Sequence, residues 1–143
     1  TYSSLAQGLL TGTLRLNTLY PADDQRTRSV LWQPENYGKC LYTTERLRPI
    51  AADLGVSLTQ LALRWLISQE GITSALVGAR APDEIAEDVG ALGADDSHPW
   101  ALPEKTMEEI QAISDEIYIS MPYYYDMWGN WRTWNRQGPQ REV

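Results

Sequence analysis

An α/β fold with parallel strands is what this sequence predicts, and three observations carry the prediction. Ile72 to Val77 is a short apolar run bounded by Gly71 and Gly78, the pattern of a strand buried on both faces. Thr1 to Leu5 is a second, shorter extended candidate. Segments with apolar residues at helical spacing follow each of them, so the order is strand, helix, strand, helix. Only two strands are visible, and two strands neither close a barrel nor fill a doubly wound sheet.

The elements read in chain order as follows. Gln7 to Gly12 is a loop whose two glycines, Gly8 and Gly12, permit a tight backbone path. Leu14 to Thr43 has weak periodicity and the turn-like Pro21-Ala22-Asp23-Asp24, so it reads as a long excursion holding one helical turn at most. Thr44 to Leu54 reads as a helix with Leu47, Ile50, Ala51 and Leu54 on one face and Gly55 as its stop, a reading that Pro49 weakens unless it sits in the first turn. Ser57 and Gln60 stand three apart, as in a capping box, before the stripe Leu58, Leu61, Ala62, Trp65 and Leu66, a helix that ends near Gln69.

Pro82 marks the first turn of a third helix with Ile85, Val89 and Leu92 as its buried face. Leu102-Pro103-Glu104 opens a fourth, with Met107, Ile110, Ile113 and Ile117 inward. Residues 118–143 form a Tyr- and Trp-rich tail with little periodicity, taken as part of the same single domain, residues 1–143. No internal repeat interrupts this order.

Composition narrows the function classes. The chain is 43% hydrophobic and 22% charged, enough to build a core and too apolar for a disordered segment. Its formal charge of −7 repels phosphate backbones, so nucleic acid is not an expected partner. No apolar run approaches the length of a membrane span, so no membrane partner is expected either. Cys40 is the single cysteine, which excludes an internal disulfide and a Cys-rich metal site, and His98 is the single histidine, which argues against a His-based metal site or a Ser-His-Asp triad within this sequence. Thr1 leads straight into an ordered-looking segment, so neither a signal nor a transit peptide is expected, and a cytoplasmic location fits.

Two segments carry a family resemblance. Tyr2-Ser3-Ser4-Leu5-Ala6-Gln7-Gly8-Leu9-Leu10-Thr11-Gly12 is similar to the seventh strand and following loop of aldo-keto reductases. Ala62 to Leu66, Ile72 to Arg80 and Pro82 to Asp88 resemble that family's seventh helix, eighth strand and eighth helix, in the same order and spacing. The likeness covers residues 1 to about 117 and is nearest to bacterial members related to potassium-channel β subunits. It implies the C-terminal part of a (β/α)8 barrel: the last two βα units, a C-terminal helix and a tail, incomplete as a barrel without another chain or an N-terminal segment. It also implies that the family's catalytic Asp, Tyr, Lys and His lie outside this sequence, so no catalytic residue is assigned, and His98 is no candidate.

The resemblance implies a cofactor, NADP or NAD, and a small carbonyl or sugar-like substrate. Tyr2 matches the aromatic that stacks on the nicotinamide, where the residue alone reads as an ordinary strand aromatic. Ser3, Leu5 and Gly8 match the loop that wraps the pyrophosphate, with Gln7 and Thr11 as further donors. The family's usual Lys after Thr-Gly is Thr13 here, with Arg15 as a replacement cation. Gly78, Ala79 and Arg80 stand before a helix N-terminus, and Arg80 either meets adenine or a 2′-phosphate, or is a solvated charge.

Glu84, Glu87 and Asp88 fall on the helix that the family uses to read adenine. Glu84 replaces the usual Gln or Arg, and Asp88 the usual Asn, which weakens adenine contacts and argues against a 2′-phosphate. Trp32, Tyr123, Tyr124, Tyr125, Trp128, Trp131 and Trp134 either line the substrate mouth or anchor the tail. Two functional classes remain: part of an NAD(P)H-dependent reductase, or an inactive reductase relic that works as an oligomerising or binding module.

Overall fold

The computed structural model describes residues 1–93 and 100–120. Four α-helices make up about half of it: α1 (Pro34–Asp53), α2 (Leu58–Ile67), α3 (Pro82–Gly90) and α4 (Glu104–Ser120). Short 3₁₀ turns at Ala6–Thr11, Gln25–Arg28 and Val30–Trp32 precede them.

Helix α1 begins ten residues earlier than the sequence pattern indicates and carries Pro49 in its interior rather than its first turn. The reason lies in its buried stripe of Asn36, Tyr37, Cys40, Thr44, Leu47, Ile50 and Ala51, which is helical in spacing but partly polar. Its polar donors find partners within the protein, although Asn36 Oδ1 is buried without one among the described residues. Asn36 Nδ2 donates to Val30 O at 2.9 Å, and Thr44 Oγ1 donates to Cys40 O at 3.0 Å. The excursion is therefore shorter and better pinned than expected. The helix ends in a Schellman motif: Gly55 N–H donates to Ala52 O and Val56 N–H to Ala51 O, with Gly55 at φ +69°.

Helix α2 starts on the capping box. Ser57 Oγ accepts from Gln60 N–H at 3.1 Å and Gln60 Oε1 accepts from Ser57 N–H at 3.2 Å. Leu58 and Leu61 then join Leu47, Ile50 and Ala51 of α1 and Ile110 and Ile113 of α4 in the main core. Leu61 is 1% exposed, and burying such a side chain contributes about 1.5–3 kcal/mol. A second cluster, Leu9, Tyr37 and Cys40 with Ile117 against it, seats the first 3₁₀ turn on α1 and α4. Arg46 of α1 pairs with Glu116 of α4 across the outer edge of that contact.

Two expectations are corrected. The described residues contain no strand, and the run at 72–77 is largely exposed, Leu76 at 65%. Its only ladder-like bonds are Thr1 N to Ser74 O and Leu76 N to Thr1 O, both 2.8 Å, the pattern of one parallel bridge around Ala75. At Ser3 the backbone turns to φ +56°, which takes the first segment away before a second rung forms. Likewise Ile85, Val89 and Leu92 are 54%, 55% and 52% exposed rather than buried. Helix α3 meets α2 through its other side, where Gly90 lies so close to Gln60 that a Cβ there would stand 2.2 Å from Nε2. The expected inward faces of α2 and α4 are otherwise present, at Leu58 and Leu61 and at Ile110, Ile113 and Ile117.

Candidate cofactor cleft

A cleft of about 800 Å³ opens between the first turn, the excursion, the 76–80 segment and α3, with Thr59 of α2 among its walls. That volume suits a ligand of cofactor size, for which about 300–1,000 Å³ is usual. Its first wall is Ser3, Ser4, Leu5, Gln7 and Gly8. Here the chain is bent hard: φ is +56° at Ser3, +47° at Ala6, +56° at Gln7 and +99° at Gly8. Three of these residues have a Cβ, so each is held at a local cost of about 1–3 kcal/mol by surrounding structure.

The restraint on Gln7 is visible. Its Oε1 accepts from Trp32 Nε1 at 3.0 Å, while its Nε2 is buried with no protein partner. Trp32 in turn stacks on Tyr37 with ring centroids 5.0 Å apart and takes the edge of Tyr20 at 5.0 Å. Tyr37 Oη donates to Arg15 O at 3.0 Å, which ties the far side of the excursion to the same stack. Burial, then the nearby Tyr37, pushes the Tyr20 hydroxyl up to about 12, so it stays protonated.

The second wall comes from that excursion. Asp24 caps the turn Gln25–Arg28 by accepting from Arg26 N–H, and its carboxylate also takes Arg26 Nε at 2.9 Å and Nη2 at 2.6 Å. The Arg26 guanidinium lies 4.1 Å over the Tyr20 ring. Arg26 holds the Asp24 carboxyl down to about 2, chiefly through side-chain hydrogen bonds and then the backbone one. Thr11 and Thr13 continue this wall with hydroxyls 2.8 Å apart.

The third wall is Leu76, Val77, Gly78 and Arg80, followed by Glu84, Glu87 and Asp88 on α3. Glu84 accepts from Arg80 N–H at 2.6 Å and from Arg80 Nη2 at 3.2 Å. The backbone bond, and then the guanidinium, holds its carboxyl below the usual range. Asp88 moves the other way, raised first by burial and then by the charges of Glu87 and Glu84.

Of the ten cofactor residues expected from the sequence, nine line this one cleft: Ser3, Leu5, Gln7, Gly8, Gly78, Arg80, Glu84, Glu87 and Asp88. Tyr2 does not; it is 74% exposed beside the cleft mouth formed by Ser3. Trp32 braces Gln7 instead of forming a wall. Arg15 points its Nη1 to the carbonyls of Gly12 and Leu14, away from the role of a cleft cation. Arg26, not Arg15, brings the positive charge to this part of the cleft. The sequence reading missed Asp24, Gln25, Arg26 and Thr59; the cap signal of Asp24 two residues before Arg26 was the one available clue. Ala79 sits between two wall residues. Tyr123, Tyr124, Tyr125, Trp128, Trp131, Trp134 and His98 lie outside the described residues. Among the described residues no group of three His, Cys, Asp or Glu side chains is arranged to hold a metal. No single helix among them is long and apolar enough to cross a membrane.

Comparison with known proteins gives the family. The model of the aldo/keto reductase family matches residues 1–115. An NADH-specific methylglyoxal reductase of Escherichia coli (strain K12) is 38% identical over 91 residues, covering 64% of this chain and 27% of that protein. A probable voltage-gated potassium channel subunit beta of Oryza sativa subsp. japonica is 34% identical over 122 residues, covering 79% of this chain and 34% of that protein. The structure of a glycerol dehydrogenase from Gluconobacter oxydans superposes with a TM-score of 0.73 at 27% identity, covering 87% of this chain and 36% of the other. The chain thus spans about a third of the length of these relatives. With its family match running through the bent first turn, the cleft and α4, this chain belongs to the aldo/keto reductase family.

Proposed function

We propose that this chain is the cofactor-holding, C-terminal portion of an NAD(P)H-dependent aldo-keto reductase, the last two βα units of a (β/α)8 barrel. The observation that carries the reading is the convergence of nine expected cofactor residues on one cleft from segments as distant as Ser3 and Asp88. A relative named for its use of NADH supports a nicotinamide dinucleotide as the ligand. When bound, that group supplies hydride exchange with a carbonyl or alcohol. The chain's own residues bind and orient it. The Ser3 hydroxyl, the bent backbone of the first turn and the Arg26 guanidinium, itself paired with Asp24, form the wall that would meet the phosphates, while Ser4, Thr11 and Thr13 spend their hydroxyl protons within the protein. Gly8, at φ +99°, lets the backbone come close to them. Tyr2 stands next to this wall to stack on the nicotinamide ring, and the substrate is a small carbonyl or sugar-like compound. The family's catalytic Asp, Tyr, Lys and His are supplied by sequence outside these 143 residues.

The test is direct titration of the chain with NADH and NADPH, followed by quenching of tryptophan fluorescence. Saturable quenching by at least one, weakened by Gly8→Val, is the expected result. No saturable change with either cofactor overturns the reading.

A second reading has its own observation. Ile85, Val89 and Leu92 present an exposed apolar face, and the exposed Leu76 and Val77 lie in the segment that leads into α3. Such a face suits a chain that works bound to another chain, as an oligomerising or binding module without catalysis. Sedimentation across a concentration range distinguishes them, since self-association abolished by Val89→Lys favours this second reading.

A further inference from the structure

The two ends of the cleft differ in what they offer a ligand. At the first turn and the excursion stand the Ser3 hydroxyl, the bent backbone around Gly8 and Arg26, whose pairing with Asp24, the one carboxylate there, leaves this end without uncompensated negative charge to oppose phosphate oxygens. At α3 stand the three carboxylates Glu84, Glu87 and Asp88, which accept hydrogen bonds and donate none when ionised. The single cation of that end, Arg80, is already engaged. Glu84 takes its guanidinium at 3.2 Å and its backbone N–H at 2.6 Å. Glu84 is the third residue of α3, so swinging it away to free the guanidinium leaves that N–H without its acceptor. Among the described residues no ion pair compensates Glu87 or Asp88. Burial and the charges of Glu87 and Glu84 raise the Asp88 carboxyl, so this end is acidic enough for its members to feel one another.

A dinucleotide laid in the cleft with its pyrophosphate at the donor end brings a nucleoside to the acidic end. A ribose with both hydroxyls free donates to carboxylates there. A 2′-phosphate donates nothing and adds a charge of about −1.5 to −2 among like charges. We propose that the Glu84–Arg80 pair, with Glu87 and Asp88 beside it, makes this cleft select NAD(H) over its 2′-phosphorylated counterpart. The proposal rests on the reading of the cleft as a nicotinamide-dinucleotide site.

Calorimetric titration of the chain with ADP-ribose and with 2′-phospho-ADP-ribose tests it without any reacting ring. ADP-ribose binds about tenfold more tightly or better at low salt, and the margin shrinks near 1 M salt, where charges are screened beyond about 3 Å. Glu84→Gln frees Arg80 from its counter-charge while its amide oxygen still accepts the Arg80 N–H, and it narrows the ratio by about tenfold. Asp88→Asn leaves the Arg80 turn untouched and narrows the ratio by a smaller factor, which keeps the test informative if Glu84→Gln disturbs the turn. Equal affinities, tighter binding of the phosphorylated ligand, or a ratio indifferent to both substitutions overturns the proposal while the cofactor reading stands. Failure of both ligands to bind overturns the two together.

Discussion

Replacing Gly12 with Ala probes how firmly the first turn, and with it one wall of the cleft, is locked to the helical core. Gly12 has φ +70°, in the left-handed region, where a Cβ costs about 1–2 kcal/mol. Space is a separate matter. A Cβ on Gly12 would stand 2.5 Å from Leu58 Cδ1 and 2.9 Å from Arg48 Nη2. Leu58 is a core residue, 5% exposed, and cannot move aside freely. Overpacking of this kind costs about 1–3 kcal/mol more. Arg48 must also move, and its Nη2 donates to Gly12 O at 3.1 Å. The expected total is about 2–5 kcal/mol. Gly55 supplies the control: its φ is +69°, but nothing lies within 4 Å of its Cβ position. Gly55→Ala therefore carries the backbone cost alone. Urea denaturation of both variants, followed by tryptophan fluorescence, measures the difference. If Gly12→Ala is no more destabilising than Gly55→Ala, the close packing of the first turn on α2 is not what holds this wall.

Three further outcomes follow from particular residues. Ser57→Ala removes one half of the α2 capping box and lowers stability by about 1 kcal/mol in the same denaturation assay, whereas Ser57→Asp restores most of it. Asp24 has its folded value near 2 against an ordinary 3.8, so its pairing with Arg26 contributes fully above the ordinary value and is lost as pH falls through about 2. Near-ultraviolet circular dichroism of the Tyr20–Trp32 stack should change over that window, and an unchanged profile in Asp24→Asn refutes the assignment. The chain by itself should show no carbonyl reduction above background with either nicotinamide cofactor; turnover abolished by changing Tyr123, Tyr124 or Tyr125 to Phe would place a proton donor in the tail.

How much of this was legible in the sequence depended on whether the determinants are local. The start of α2 was, because a capping box is decided by residues three apart. The stop of α1 at Gly55 was, for the same reason. The first half of α1 was hidden because Asn36, Cys40 and Thr44 occupy its buried stripe, and their burial depends on partners such as Val30 O and Leu9 O. The apolar run at 72–77 has a strand's composition, but strand formation is decided by neighbours, and Thr1 alone provides a rung. Most of the cleft was legible through two contiguous motifs. Asp24 and Arg26 were not, since only the stacking of Tyr20, Trp32 and Tyr37 folds their segment back onto Gln7.

The bridge between Thr1 and the 74–76 segment also bears on the order in which the molecule assembles. Its partners are 73 residues apart in the chain, whereas α1 and α2 are neighbours joined by a tight turn. Closing a loop of that length costs about 4 kcal/mol of chain entropy before any contact offsets it. The helical core can form while the cleft is still open, so the binding walls meet on a scaffold already in place. The same two bonds are then the first to open in the native state. Exchange of the Leu76 amide hydrogen should accordingly run faster than that of Leu61, and ADP-ribose, by bridging the walls, should slow Leu76 far more than Leu61.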